Sequence, residues 1–275
     1  MTRHSFLSFG LSAGLSVGLA ASFVGTLTWA DAAHAQPAAK ATKACGVTAI
    51  PLQVGNEWTY AAVAMPGRAV DPSDAKKYPK QPAKVVITVA GIETQNGVTT
   101  VTLSEDADGH KISTTIACSA TKFDISPDSF FFAGEPGGSF NVAFTSFEHK
   151  GGTTLKLAGG RLQGPDWRDD IVAKWKQTPS TGTDRAPWIG SLEMERHYVL
   201  AGTDNIASTG GVFNGAQKLT LEITGRVILD PPDANPAELP AGLKNTFWFA
   251  DTIGIVQVSN SYNHVYQLAN TKLAK

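Results

Sequence analysis

This 275-residue chain is short of the features from which function is usually read. It has only two cysteines and three methionines, and its 23 basic and 24 acidic residues leave a formal net charge of −1. A near-neutral balance supplies no electrostatic footprint for a nucleic-acid backbone or an anionic membrane surface. The two cysteines are not in a C-x-x-C pair, so neither a redox motif nor a zinc knuckle is present. From Gln36 onward there is no G-x-S-x-G elbow, no H-E-x-x-H and no phosphate-cradling glycine loop. Asp106-Ala107-Asp108-Gly109-His110 begins like a calcium loop but lacks the later bidentate glutamate, which makes it a hairpin turn. No enzyme, metal or cofactor is expected on this reading.

Long hydrophobic runs are also scarce, with one exception at the N-terminus. Met1-Thr2-Arg3-His4 precede an almost uncharged stretch from Ser5 to Ala30, and Ala33-His34-Ala35 forms an A-x-A cleavage signature. Residues 1–35 are read as a signal peptide cut before Gln36. The alternative, a retained anchor, is disfavoured because Gly10, Gly14, Gly18 and Gly25 dilute the stretch and no basic cluster follows it. Residues 36–44 form a flexible tether and residues 45–275 a single β-rich domain, exported to a periplasm or the extracellular space. In an oxidising compartment Cys45 and Cys118 are expected to pair. Closing their 73-residue separation would add about 4 kcal/mol at most on the chain-entropy account. A lipid-modified Cys45 is the lesser reading, because Lys43 interrupts the apolar run that lipidation requires.

What the chain has in abundance is alternation. Val85, Ile87 and Val89 share one face, followed by Val101 and Leu103 and then by Ile112, Ile116 and Cys118, with β-branched residues crowding between. Asn96-Gly97 and Asp108-Gly109 supply tight hairpin turns and make residues 84–126 a meander. Leu219, Leu221, Ile223 and Val227 alternate with Thr220, Glu222, Thr224 and Arg226, the mark of a sheet with one wet face. Asp166–Lys176 fits either period and is read as a strand leading to another at Leu192–Leu200. Residues 65–83, 132–139 and 230–243 are read as long loops. The fold class is all-β, or β-rich with minor helix: an antiparallel curved sheet forming a half-barrel or open barrel.

Two segments bracket this region. Ile50-Pro51-Leu52-Gln53-Val54-Gly55-Asn56-Glu57-Trp58-Thr59-Tyr60 resembles the PL-x-x-G-N-x-W-x-Y opening of a group of exported bacterial proteins and lipoproteins of unknown function. Thr246 to Val256 is similar to that group's closing W-[FY]-A-x-G-[VI]-G-[LI]-V, and Gly210 to Leu219 resembles an intervening segment. The resemblance implies a half-barrel like that of envelope proteins that carry lipids or lipoproteins, and implies no chemistry. The chain departs from the pattern at Thr252, where glycine is usual, and has no lipid-attachment cysteine.

Candidate sites follow from residue type and parity. Trp58, Tyr60, Trp248, Phe249, Tyr262, His264 and Tyr266 are candidate ligand-binding residues, on the expectation that aromatics lining a concave sheet shelter a lipid or other hydrophobic molecule. The same aromatics also read as ordinary core. Tyr262, His264 and Tyr266 are placed on one face of the last strand. Glu193, Glu195 and His197 alternate on another strand, and Asp166, Asp169 and Asp170 surround Trp167. Either set would be needed for a metal-dependent or carbohydrate hydrolase, the least favoured function. His110 and His149 are assigned to polar turns without a role. The preferred function is an exported non-catalytic binding module, and the alternative is a structural or protein-interaction component of the cell envelope.

Overall fold

The computed structural model describes residues 47–64, 80–119, 122–134, 142–177, 188–230, 237–238 and 243–274. Its strands are β1 (Glu57–Val63), β2 (Lys84–Gln95), β3 (Val98–Ala107), β4 (His110–Cys118), β5 (Phe123–Ile125), β6 (Val142–Gly152), β7 (Leu157–Ala158), β8 (Arg161–Leu162), β9 (Asp166–Gln177), β10 (Trp188–Ser208), β11 (Gly211–Leu229), β12 (Ala237–Glu238), β13 (Leu243–Ala250), β14 (Gly254–Ser259) and β15 (Val265–Lys272). One helical turn, α1 (Phe130–Ala133), accompanies them. Thirteen strands form a single antiparallel sheet in the order β5-β4-β3-β2-β1-β15-β14-β13-β11-β10-β9-β6, with β12 beside β11 and with β7 and β8 as a separate hairpin. The all-β curved-sheet expectation holds.

The local turns form for the expected reasons. Asn96 and Gly97 adopt φ of 51° and 77°, and Asp108 and Gly109 of 49° and 92°, the paired positive values that match the twist of flanking strands. The Asp106 carboxylate accepts the Gly109 N–H at 2.7 Å, so this residue closes a turn. Asp166–Gln177 is a strand with alternating burial, as its parity suggested.

Bulges between Thr59 and Tyr60, Val89 and Gly91, and Trp248 and Phe249 bend the sheet. Its two edges consequently meet. The Phe123 N–H donates to Thr153 Oγ1 and the Ile125 N–H to Thr154 Oγ1, each at 3.1 Å, while the Leu155 N–H donates to the Phe123 carbonyl at 3.2 Å. The roll is thus closed at a seam between β5 and the residues just after β6, largely through hydroxyl groups. Gly152 makes the seam possible: its φ is 73°, and a Cβ there would lie 2.0 Å from the Arg168 carbonyl oxygen.

Inward residues of β1, β2, β3, β4, β11, β13, β14 and β15 form one continuous core. A smaller cluster of Ile171, Ala173 and Met194, flanked by Phe144 and Phe147, lies under β6, β9 and β10. The loops expected at 65–83, 132–139 and 230–243 fall mostly outside the described residues. Within the second of them, Phe132 and Ala133 belong to α1. Cys118 is buried and disulfide-bonded, and Cys45 lies outside the described residues, as do the predicted signal peptide and tether.

Candidate functional site

The two bracketing segments, about 195 residues apart, come together inside the roll. Trp58 on β1 donates its indole N–H to the Ile253 carbonyl at 2.5 Å, and the Tyr60 hydroxyl donates to the Ile255 carbonyl at 2.9 Å. Asn56 is equally structural: its amide donates to the Pro51 carbonyl at 2.6 Å and its carbonyl accepts the Ala274 N–H at 2.7 Å. These motif residues therefore tie the first described residues to the last.

The aromatic wall they build is covered from within. The Phe130 ring lies 4.9 Å from that of Tyr60 and 5.3 Å from that of Tyr266, and Phe131 meets Trp58 edge-on at 5.4 Å. Trp58, Tyr60, Tyr266, Phe130 and Phe131 are all fully buried. Of the other candidate ligand residues, Phe249 belongs to the same core. Trp248 donates to the Asp204 carboxylate at 2.8 Å and lies beneath the Lys218 ammonium, 5.5 Å from the ring centroid. These bonds from Trp248 and Lys218 hold the Asp204 carboxyl below its ordinary range.

Tyr262 and His264 do not lie on the last strand, which begins at Val265. Asn263 takes a φ of 63°, and the Asn260 side-chain carbonyl accepts the N–H groups of Tyr262 and His264 at 3.0 and 3.1 Å. This local turn overrides the alternating Tyr-x-His-x-Tyr pattern. His264 is nevertheless buried, with its ring 6.3 Å from that of Tyr266.

Two groups of buried charge were not foreseen as groups, although Asp169 and His149 of the second were individually named from the sequence. The first is Glu105 on β3, which points inward beside Val101 and Leu103. It accepts hydrogen bonds from the Thr114 hydroxyl (2.7 Å), the Ser129 hydroxyl (2.6 Å) and the Phe130 N–H (2.9 Å). Burial raises its pKa to about 7 in spite of these donors. Burial, reinforced by Glu105, also pushes the Tyr60 hydroxyl well above its ordinary value.

The second group lies at the seam. Arg196 on β10 forks onto Asp169 of β9, with Nε to Oδ1 at 2.8 Å and Nη2 to Oδ2 at 2.5 Å, and both residues are almost completely buried. Thr154 joins them: it accepts from Arg196 Nη2 at 3.0 Å and donates to Asp169 Oδ2 at 3.1 Å. Trp167 stacks on Tyr198 at 5.3 Å and donates to the Thr154 carbonyl at 3.1 Å. His149 is in strand β6, not in a turn, and its Nδ1 lies 3.5 Å from Asp124 Oδ1 and 3.7 Å from Asp169 Oδ2. Burial lowers the pKa of His149 and raises that of Asp124. The available signal was parity, since Glu105 and Arg196 each occupy an inward register position flanked by apolar residues.

The hydrolase candidates are kept apart and already engaged. On the outer face, Glu193 pairs with Arg226 at 2.6 Å, Glu195 with Arg168, and His197 with Asp166 at 3.4 Å. Asp169 points inward while Asp166 and Asp170 point outward, so the aspartates around Trp167 do not converge. A depression of about 310 Å³ on this part of the sheet is lined by Lys150, Asp170, Glu193, Glu195 and Arg226, among others. Among the described residues, no group of three His, Cys, Asp or Glu side chains could hold a metal ion, and no helix is long and apolar enough to cross a membrane.

No protein-family model matches the chain, and no curated protein matches it. Two solved structures are similar to it. One, from Bacteroides fragilis, is of a predicted exported protein with a YmcC-like fold; it is 15% identical, covers 82% of this chain and 98% of its own, and has a TM-score of 0.46. The other, of a predicted lipoprotein from Parabacteroides distasonis, is 12% identical, covers 82% of this chain and 99% of its own, and has a TM-score of 0.45.

Proposed function

We propose that the protein is an exported, non-catalytic component of the cell envelope that works through its outer surface, with the interior of the roll given over to its own core. The observation that carries this reading is the seating of Phe130 and Phe131 against Trp58, Tyr60 and Tyr266, where a sheltered lipid would have to lie. This reverses the order of the two leading sequence expectations: the interaction role moves ahead of the ligand-sheltering one. The absence of catalysis is supported by the engagement of Glu193, Glu195 and His197 with Arg226, Arg168 and Asp166. Export is supported by the signal-peptide pattern read in residues 1–35 and by the disulfide at Cys118, because such bonds persist in oxidising compartments. Pairing of Cys118 with Cys45 belongs to the same proposal.

Native mass spectrometry of the processed protein mixed with an envelope lipid extract tests the sealed interior. The bare mass is expected, and a retained lipid adduct would overturn it. Photo-crosslinking residues placed at Trp188 and Val212, which are 59% and 70% exposed, test the outer surface. A discrete protein adduct in intact envelopes is expected from at least one, and adducts from neither would count against the interaction role.

A further inference from the structure

We propose that α1 is a removable stopper in the roll and that a proton on Glu105 governs how firmly it is seated. The inference goes beyond the functional reading above and does not depend on it. The strand ladders run from β5 through β1 and β15 to β6 without any contribution from α1. The single turn is too short to be stable alone, and its Ser129 N-cap makes no side-chain capping bond. It is held instead by side chains of the sheet and of the turn between β14 and β15. Glu105 takes the Ser129 hydroxyl and the Phe130 N–H at one end. At the other, the amides of Asn245 and Asn260 donate to the carbonyls of Ala133 and Gly134, both at 2.8 Å. Withdrawing α1 breaks these attachments and uncovers the rings of Trp58, Tyr60 and Tyr266, while every ladder stays paired.

Seating α1 removes Glu105 from water, which disfavours its charged form. The groups facing it are Thr114 from β4, Ser129 and the Phe130 N–H from the stopper, Tyr60 from β1 and Asp128 from the turn before α1. Of these, only the Thr114 and Ser129 hydroxyls and the Phe130 amide favour the carboxylate. The seated state therefore holds the proton more tightly than the open state, in which Glu105 is solvated. With about 7 for the seated and 4.5 for the open carboxyl, linkage increases the opening constant by about 70-fold from pH 5 to pH 8. The stopper is firm in acid and loosens toward neutrality, with the opening constant at half its limiting value near pH 7 and the change nearly complete by about pH 8.

Hydrogen exchange of the Phe130, Ala133 and Gly134 amides, corrected for the intrinsic pH dependence of exchange, reads this opening directly. They are expected to open without global unfolding, more often than amides of the β2–β3 ladder, and increasingly between pH 5 and 8. E105Q should flatten that rise. T114V, which keeps the carboxyl but removes a donor to it, should move the midpoint to higher pH and serves alone if E105Q does not fold. Stopper amides that exchange only with global unfolding, an E105Q profile as steep as wild type, or an unmoved T114V midpoint would each overturn the proposal. None of these readouts depends on lipid or partner binding, so its failure is separable from that of the envelope role.

Discussion

Asp169→Asn puts the buried charge to a direct test. The substitution preserves volume but removes the negative charge from a guanidinium that is 2% exposed, and Asn presents only one oxygen to a fork that now holds two. An uncompensated buried charge costs about 3–5 kcal/mol. For a domain of this size that corresponds to a fall in Tm of roughly 10 °C. The damage should spread to the seam, because Thr154 loses its Asp169 acceptor while still receiving the Ile125 N–H. Chemical denaturation of wild type, D169N, R196M and the double variant D169L/R196M forms the decisive set. The double variant removes both ions together and should recover most of the loss, since replacing a complete buried pair by apolar groups is often neutral or stabilising. A D169N cost below about 1 kcal/mol would mean that water already reaches the guanidinium, and a double variant no better than D169N would mean that the pair itself is favourable. Either result would refute the reasoning.

Other consequences are equally measurable. Thr252 holds a φ of 66°, which is unfavourable for a β-branched residue, so T252G should stabilise the protein by about 1 kcal/mol in thermal denaturation. G152A meets the Arg168 carbonyl at 2.0 Å in a left-handed conformation, and a loss of about 3 kcal/mol is expected, with faster exchange of the Phe123 and Ile125 amides. The carboxyl of Glu105 has a folded pKa above its unfolded value, so its contribution to global stability is greatest below pH 4.5 and declines as pH rises to about 7. Wild-type stability relative to E105Q should therefore drop by roughly 3 kcal/mol across that interval, and parallel profiles would show that the carboxyl is not perturbed.

The alternation of Val85, Ile87 and Val89 and the Asn-Gly and Asp-Gly turns made the meander legible, because a strand's two faces and its tightest turns are written within a few neighbouring residues. Closure of the roll was not legible. It depends on Thr153 and Thr154 meeting Phe123 and Ile125 across about 30 residues, and hydroxyls of this kind leave no periodic trace. His149 was misplaced because Gly151-Gly152 beside it resembles a turn, whereas the glycines serve a close approach to β9 at the end of a strand. Parity correctly put Glu193 and Glu195 on one face, but it could not reveal the cations on adjacent strands that occupy them. The departure at Thr252 was visible as an unusual residue, and only its backbone angle gives the substitution a physical cost.

The way the two edges of the sheet are joined also decides how the protein yields to force. A ladder between long strands shares load over many amide pairs, but at β5 the load falls on a three-residue strand fastened mainly by two threonine hydroxyls. Pulled from its surroundings, the roll would rip lengthwise along this line and open into a still-curved strip before any of its long hairpins came apart.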